Sequence, residues 1–160
     1  MIHIGNINDV VTEDLINICT ERANKFKTRN RDINTIIQHT IIGEAVELLV
    51  CACSNLIQTQ FDIMEYDATD NNGLKYEIKH TSKNDKWWNY SADNYSFFLE
   101  NALDLDYIIL CYHDNETGNV YLKFKADAPT FENYSAHSNY NDKLYYNVDI
   151  AHRKNACIIY

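Results

Sequence analysis

The stretch YDATDNNGLKYEIKHT, residues 66–81, has the pattern of a β-hairpin, with two strand-forming segments separated by a turn. If the loop is Asn-Asn-Gly at 71–73, Gly73 supplies the positive φ that a three-residue turn with a bulge requires. Counting outward from this loop places Asp67 directly opposite Glu77. Like charges facing each other on paired strands are unfavourable, so the hairpin predicts a positive group between the two carboxylates.

Lys79 is the nearest such group in the sequence. Side chains alternate along a strand, so Lys79 shares a face with Glu77, and the two are expected to form one cluster with Asp67. A loop one residue longer or shorter would shift the pairing and separate them. The simplest alternative is an ordinary surface ion pair, which contributes only about 0–1 kcal/mol.

A further acid is predicted on a preceding helix, which should run from about Asp32, a good N-cap, to about Cys53. Glu44 falls in the middle of an apolar stripe on this helix, formed by Ile37, Ile41, Leu48 and Cys51. Burying an unpaired carboxylate is costly or neutralises it, so Glu44 also needs a cation. Glu47 is expected at a more solvated position.

A single divalent ion would offset all three acids, Glu44, Asp67 and Glu77. Mg²⁺ prefers carboxylate oxygens, keeps several waters, and is typically held by one or two protein carboxylates plus a substrate phosphate. Lys79 beside such an ion would lower the pKa of an attacking water or offset charge in the transition state. This combination of residues indicates hydrolysis of a phosphodiester.

The pattern Asp67…Glu77-x-Lys79, preceded by a helix that carries Glu44, resembles the PD-(D/E)XK nuclease superfamily, which has the restriction-endonuclease-like fold. The similarity covers YDATDNNGLKYEIKHTSKNDKWW, residues 66–88. This stretch looks like the catalytic hairpin of type II restriction-type members, in which a Tyr-Asp pair, a short glycine turn, a hydrophobic-Glu-hydrophobic-Lys strand and a downstream Trp recur.

The resemblance implies that Asp67 and Glu77 hold the metal, that Lys79 assists the water, and that Glu44 adds a ligand. It also implies Mg²⁺ as the cofactor, with Mn²⁺ able to substitute. The chain departs from the family pattern because no Pro precedes Asp67, and because Asp62 is a second candidate for the first acid. We prefer Asp67, since its spacing from Glu77 makes the cross-strand cluster.

The predicted elements indicate one α/β (α+β) domain over residues 1–160. The expected elements other than the helix from Asp32 are a helix at 9–27 capped by Asp9 or Thr12, strands at 58–69 and 74–82, a helix at 91–105 opening on Ser91, strands at 106–113 and 119–126, and short strands at 144–150 and 156–160. The resemblance implies a restriction-endonuclease-like core, with a central mixed β-sheet flanked by helices in αβββαβ order. An N-terminal helix and a C-terminal β extension would be additions to that core.

The net charge of −9 argues against a nucleic-acid partner unless positive charge is concentrated locally. A basic stretch with aromatic residues follows the proposed catalytic strand, and its predicted nucleic-acid-binding residues are Lys83, Lys86, Trp87 and Trp88. Local field, rather than net charge, steers a polyanion. The alternative for at least one of the two tryptophans is packing in the core.

The remaining composition indicates an intracellular protein, and the resemblance implies the cytoplasm of a bacterial or phage-infected cell. The five cysteines are scattered and lack paired metal-binding spacing, so buried free thiols are expected. The N-terminus lacks the pattern of a signal peptide, and no apolar run approaches the roughly 18–20 residues of a membrane span, so no membrane partner is expected.

The leading hypothesis is a Mg²⁺-dependent deoxyribonuclease, an endonuclease that resembles restriction enzymes or a small phage- or defence-encoded relative. A homodimer is expected, because a symmetric pair is the simplest way to cut both strands of a duplex. RNA and branched DNA remain open as substrates. The alternative is a catalytically inactive fold that acts as a nucleic-acid-binding, protein-binding or inhibitor module, with an acidic surface that engages a basic partner.

Overall fold

The computed structural model describes residues 1–25, 32–59, 66–84, 87–91, 105–128, 135–138, 143–155 and 157–160. The helices in these ranges are α1 (Ile7–Val10), α2 (Glu13–Lys25), α3 (Ile33–Ser54) and α4 (Val148–Arg153). The strands are β1 (Ile2–Asn6), β2 (Ile57–Gln58), β3 (Ala68–Thr69), β4 (Lys75–Thr81), β5 (Trp87–Ser91), β6 (Tyr107–His113), β7 (Asn119–Asp127), β8 (Ser135–Ser138), β9 (Lys143–Asn147) and β10 (Cys157–Ile159).

The main sheet has seven strands in the order β1-β7-β6-β4-β3-β2, with β10 also paired to β7. Strands β4 and β6 run parallel, whereas the other described pairs of this sheet are antiparallel. The sheet is therefore mixed, and with its helices it confirms the α+β class. Strand β4, which carries Glu77 and Lys79, is paired on both sides, by β3 and by β6.

A second, three-stranded sheet has the order β5-β9-β8 and is antiparallel. Several details differ from the sequence prediction. Strands β1, β5 and β8 were not expected, the predicted strand at 144–150 ends at Asn147 and is followed by α4, and Ser91 ends β5 instead of opening a helix. The rest of that predicted helix, 92–104, lies outside the described residues.

The predicted cap of α3 is confirmed, because the Asp32 carboxylate accepts a hydrogen bond from the Thr35 N–H at 2.9 Å. The predicted N-terminal helix is interrupted. Asp9 belongs to the short helix α1, and Thr12 begins α2 by accepting a hydrogen bond from the Leu15 N–H at 3.2 Å.

One part of the core lies between α3 and one face of the main sheet, and Ile108, Leu110 and Phe124 are fully buried on the opposite face. Ala45, Val46, Leu49 and Val50 are buried on the helix, and the last three pack in one cluster with sheet residues that include Tyr76, Ile78, Ile109 and Cys111. Ile37, Ile41 and Leu48 of the predicted stripe are only half-buried. The stripe was misplaced because α3 is apolar on nearly all sides, so its periodicity does not identify the buried face.

Helix α3 is also long and apolar enough, by length and composition alone, to cross a membrane. This contradicts the expectation that no segment approaches that length. The core helix of a globular domain passes the same test, and α3 packs against α2 and against strands of the main sheet.

Candidate active site

The hairpin at 66–81 has the predicted loop. Ala68 pairs with Tyr76 and Thr69 with Lys75, which leaves the three-residue loop 71–73. Gly73 has a φ of +81°, a left-handed value that glycine adopts without steric cost. This regular register ends at Ala68, because the Asp67 N–H donates to the Tyr76 carbonyl at 2.9 Å, so the predicted loop is confirmed but the direct backbone pairing of Asp67 with Glu77 is not.

The predicted cluster of Asp67, Glu77 and Lys79 is present. The Lys79 amine forms an ion pair with Glu77 and lies 3.9 Å from Asp67 Oδ2. Asp67 Oδ2 also accepts a hydrogen bond of 2.6 Å from the Ile78 N–H. Lysine thus supplies the positive charge that the facing carboxylates require.

Glu44 is buried, as predicted, and its carboxylate has two partners. Oε1 lies 2.5 Å from Nη1 of Arg22 on α2, and Oε2 accepts a hydrogen bond of 3.3 Å from the side-chain amide of Gln58. Arg22 is therefore the cation that a buried Glu44 needs. The role of Glu44 as a metal ligand stays a prediction.

Glu47 is the acid that the sequence interpretation misjudged. It shares the Gln58 amide with Glu44, at 3.5 Å from its own Oε2. Burial, followed by the negative charges of Asp67 and Glu44, raises the pKa of Glu47 to about 9. Glu47 is half-buried whereas Glu44 is buried, so Glu47 is the more solvated of the two, as expected, but its place in the acidic cluster was not foreseen. The three-residue spacing from Glu44, which places both on one side of a helix, was the available signal.

Negative charge is in excess at this site. Burial and the charge of Asp67 raise the pKa of both Glu44 and Glu77, although Arg22 and Lys79 oppose these shifts. Four carboxylates, those of Glu44, Glu47, Asp67 and Glu77, are accompanied by the two cations of Arg22 and Lys79. Because the pKa of Glu47 is about 9, its carboxyl is protonated at neutral pH, so among these described residues three carboxylates face two cations and one negative charge is uncompensated.

The carboxylates of the cluster can be compared with the ligands that a Mg²⁺ site requires. Within the described ranges, no group of three or more His, Cys, Asp or Glu side chains is arranged to hold a metal ion. Asp67 and Glu77 nevertheless provide two neighbouring carboxylates, and Mg²⁺ needs only one or two from the protein when waters and phosphate complete its shell. These two residues suit Mg²⁺. The alternative first acid, Asp62, lies outside the described residues.

The predicted nucleic-acid-binding residues are described only in part. Lys83 is exposed, its N–H donates to Thr81 Oγ1 at 3.1 Å, and its carbonyl accepts a hydrogen bond from the Lys123 amine at 3.4 Å. Trp87 and Trp88 lie on β5, where only their backbone is described, and Lys86 is outside the described ranges. The binding roles of these residues stay predictions.

A pair of histidines lies beside the site, on the sheet face that α3 covers. His80 Nδ1 is 3.2 Å from His113 Nδ1, a hydrogen bond between neutral rings. Burial, then the nearby His113 and Lys79, lower the pKa of His80 to about 4. Burial also lowers the pKa of His113. The sequence interpretation did not identify this pair, which joins residues from two parallel strands.

We expect His80 to make the protein acid-sensitive. Its pKa is about 4 in the folded state against an ordinary 6.5, so its contribution to stability is present above pH 6.5 and is lost as the pH falls towards 4. Over this window, the wild type should lose roughly 1–3 kcal/mol more unfolding free energy than His80→Phe. Urea denaturation between pH 7 and pH 4 measures this difference. His152→Phe, at an exposed histidine of α4, is the control, and parallel curves for wild type and His80→Phe would contradict the prediction.

Glu47→Gln should stabilise the protein at high pH when EDTA is present. The pKa of Glu47 is raised in the folded state, so its contribution to stability is present below pH 4.5 and is lost as the pH rises towards 9. At pH 8 the unfolding free energy of Glu47→Gln should exceed that of the wild type by roughly 1–3 kcal/mol, and the gain should disappear near pH 4.5. Glu21→Gln, at an exposed position of α2, should show no such gain. Equal stabilities of Glu47→Gln and wild type at pH 8 would show that Glu47 is solvated after all.

The sequence matches no protein-family model, and no curated protein is similar to it. Its functional interpretation therefore depends on the sequence pattern and on the geometry of this site.

Proposed function

We propose that this protein is a Mg²⁺-dependent endonuclease that hydrolyses phosphodiester bonds in DNA, on a restriction-endonuclease-like fold. The observation that carries the proposal is the cluster of Asp67, Glu77 and Lys79 on one hairpin. It combines two carboxylates suited to a hard cation with a lysine that can act on a phosphate or on water. The excess negative charge of the surrounding acids gives a cation a reason to bind.

The order of the elements supports the proposed fold. Helix α3 precedes β2, β3 and β4, and β6 then returns parallel to β4. Between β4 and β6 the chain also forms β5, which joins the second sheet and would be an addition to the αβββαβ order, and most of the helix predicted there falls outside the described residues.

In the proposed reaction, Asp67 and Glu77 would hold the metal, and bound Mg²⁺ would supply Lewis-acid chemistry to a phosphate oxygen and to water. Lys79 would place a compact positive charge beside the phosphate, where negative charge accumulates in the transition state. Half-burial of these side chains, with exposures of 33% for Lys79, 23% for Asp67 and 13% for Glu77, strengthens this electrostatic effect. Arg22 would hold Glu44 in place behind them.

One observation favours the alternative function. The ion pair of Lys79 with Glu77 already neutralises part of the cluster, as in a protein whose acids have no metal to hold. Such a protein would be an inactive binding or inhibitor module whose acidic surface engages a basic partner. Under the leading proposal, Lys79 instead exchanges part of this contact for the phosphate when metal and substrate bind.

Cleavage of supercoiled plasmid separates the two proposals. The wild type should produce nicked and linear DNA with Mg²⁺ or Mn²⁺, and none with EDTA. Lys75→Ala is a matched control, since Lys75 lies on the same strand with its amine 5.1 Å from the ring centroid of Tyr66. Intact plasmid, single-stranded DNA and RNA after incubation with either metal would exclude the nuclease and leave the binding module.

The same proposal includes an expected oligomeric state and an expected cellular compartment. We expect a homodimer in the cytoplasm, with one site for each strand of a duplex. A monomeric mass in light scattering at micromolar concentration would favour nicking or single-strand cutting instead.

A further inference from the structure

Aromatic side chains form a row across the main sheet, and no role has yet been assigned to them. Successive pairings place His3 of β1 beside Tyr121 of β7, and Tyr121 beside Tyr112 of β6. The ring centroids of Tyr112 and Tyr121 are 5.8 Å apart with planes 27° from parallel, and those of Tyr121 and His3 are 5.2 Å apart. We call these three residues the aromatic row.

The aromatic row leads to the candidate active site. Tyr112 pairs with Thr81 of β4, so the same line across the sheet reaches the strand that carries Lys79. Lys79 lies two residues before Thr81 and therefore points to the same face of the sheet. The row and Lys79 therefore lie on one face of the sheet, and β4 connects them.

The row is accessible to a ligand. Tyr112 and Tyr121 are half-buried and His3 is exposed, whereas Leu110 and Phe124, on the same face, are fully buried. The fully buried residues serve the core. The three rings of the aromatic row are partly open to solvent, so they are not needed to fill the core and are available for a ligand.

Positive charge lies at the Thr81 end of the row. The exposed Lys83 is held to Thr81 by its own N–H, and the Lys123 amine donates to the Lys83 carbonyl. In a chain of net charge −9, the exposed Lys83 is a local departure from the acidic average, whereas Lys123 is buried and fixes the Lys83 backbone. An anionic backbone is complementary to Lys83, and flat rings are complementary to the row.

We propose that the aromatic row binds bases of single-stranded DNA by stacking, with the phosphate backbone passing Lys83 towards Lys79. Bases of a single strand present their faces for stacking, whereas bases within a duplex are already stacked on each other. Stacking on aromatic side chains tolerates any sequence, because every base has a π-face. This inference deepens the proposed nuclease function by naming its substrate class, single-stranded or locally unpaired DNA.

The test measures binding apart from cleavage. Fluorescence anisotropy of labelled oligo-dT, in EDTA and with full-length protein, should show binding that is tighter than to a hairpin duplex of equal length. Tyr121→Leu keeps an apolar side chain on the strand but removes the ring, and it should weaken oligo-dT binding about 10-fold, a loss typical of one stacked base. Tyr121→Phe should retain binding, as should the control His152→Ala on α4. Circular dichroism confirms that each variant is folded.

Three results would overturn the inference: no binding of oligo-dT by the wild type, preference for the duplex, or equal binding by Tyr121→Leu and wild type. If Tyr121→Leu does not fold, His3→Ala at the exposed end of the row provides the same comparison. The binding test contains EDTA and no metal, so it can fail independently of the nuclease proposal. The aromatic row is refuted if binding does not depend on the Tyr121 ring. The nuclease proposal is refuted if no DNA is cleaved with Mg²⁺, whether or not DNA binds.

Discussion

Lys79→Ala is expected to reduce the rate of DNA cleavage by about 10²–10³-fold, the loss typical when one preorganised electrostatic group is removed from a transition state. Lys79 is the one cation of the Asp67–Glu77 cluster for which the structure gives contacts with both carboxylates. Single-turnover cleavage at saturating Mg²⁺ measures the effect. Binding of metal and of DNA should stay largely intact, because Lys79 is not a proposed metal ligand and is one of several groups proposed to contact the DNA.

Two further variants test the role of this lysine. Lys79→Arg should rescue little activity, because the guanidinium is larger, planar and unable to release a proton at working pH. Glu77→Ala should lose metal affinity together with activity, because it removes a proposed ligand. The control Lys75→Ala should cleave as fast as the wild type. If Lys79→Ala also does so, Lys79 is only a structural partner of Glu77.

The second large effect is expected from Arg22→Met, which should lower the unfolding free energy by about 2–4 kcal/mol. Removing one partner of a buried ion pair leaves an uncompensated charge, and such losses are typically about 3–5 kcal/mol. The expected value is smaller here because the Arg22 side chain is 32% exposed, although that of Glu44 is only 7% exposed. Urea denaturation at neutral pH measures the loss.

The double variant Arg22→Met/Glu44→Gln should recover most of the lost stability, because no unpaired charge remains. The loss in the single variant should also shrink at acid pH, since burial raises the pKa of Glu44 and a protonated Glu44 does not need the arginine. Arg153→Met, at an exposed position of α4, is the control. An undiminished loss in the double variant would mean that Arg22 acts by packing its aliphatic stem, and not by its charge.

The sequence predicted the parts of the site that depend on local structure. The Asn-Asn-Gly loop determines the register of the hairpin from Ala68 to Tyr76, and alternation along β4 puts Glu77 and Lys79 on one face, so counting brought Asp67 close to both although its own backbone leaves the regular pairing. The cap at Asp32 is equally local, because an Asp accepts a hydrogen bond from an N–H only three residues away.

The parts that were missed depend on how distant segments pack. The partner of Glu44 is on another helix, and nothing in the sequence of α3 alone identifies Arg22. Glu47 was misjudged because α3 is apolar on nearly all sides, so the buried face could not be located from periodicity. Likewise, the contact between His80 and His113 exists only because β4 and β6 run side by side.

The pairing of β4 on both sides has a consequence for how the site tolerates evolutionary change. Glu77 and Lys79 sit on a seven-residue strand whose neighbours constrain its backbone, whereas Asp67 precedes the two-residue strand β3. Substitutions or insertions around β3 would therefore disturb few backbone pairings, while similar changes in β4 would disrupt the centre of the sheet. We expect lineages of this fold to keep the Glu-x-Lys strand fixed and to let the first acid drift to nearby positions of the chain.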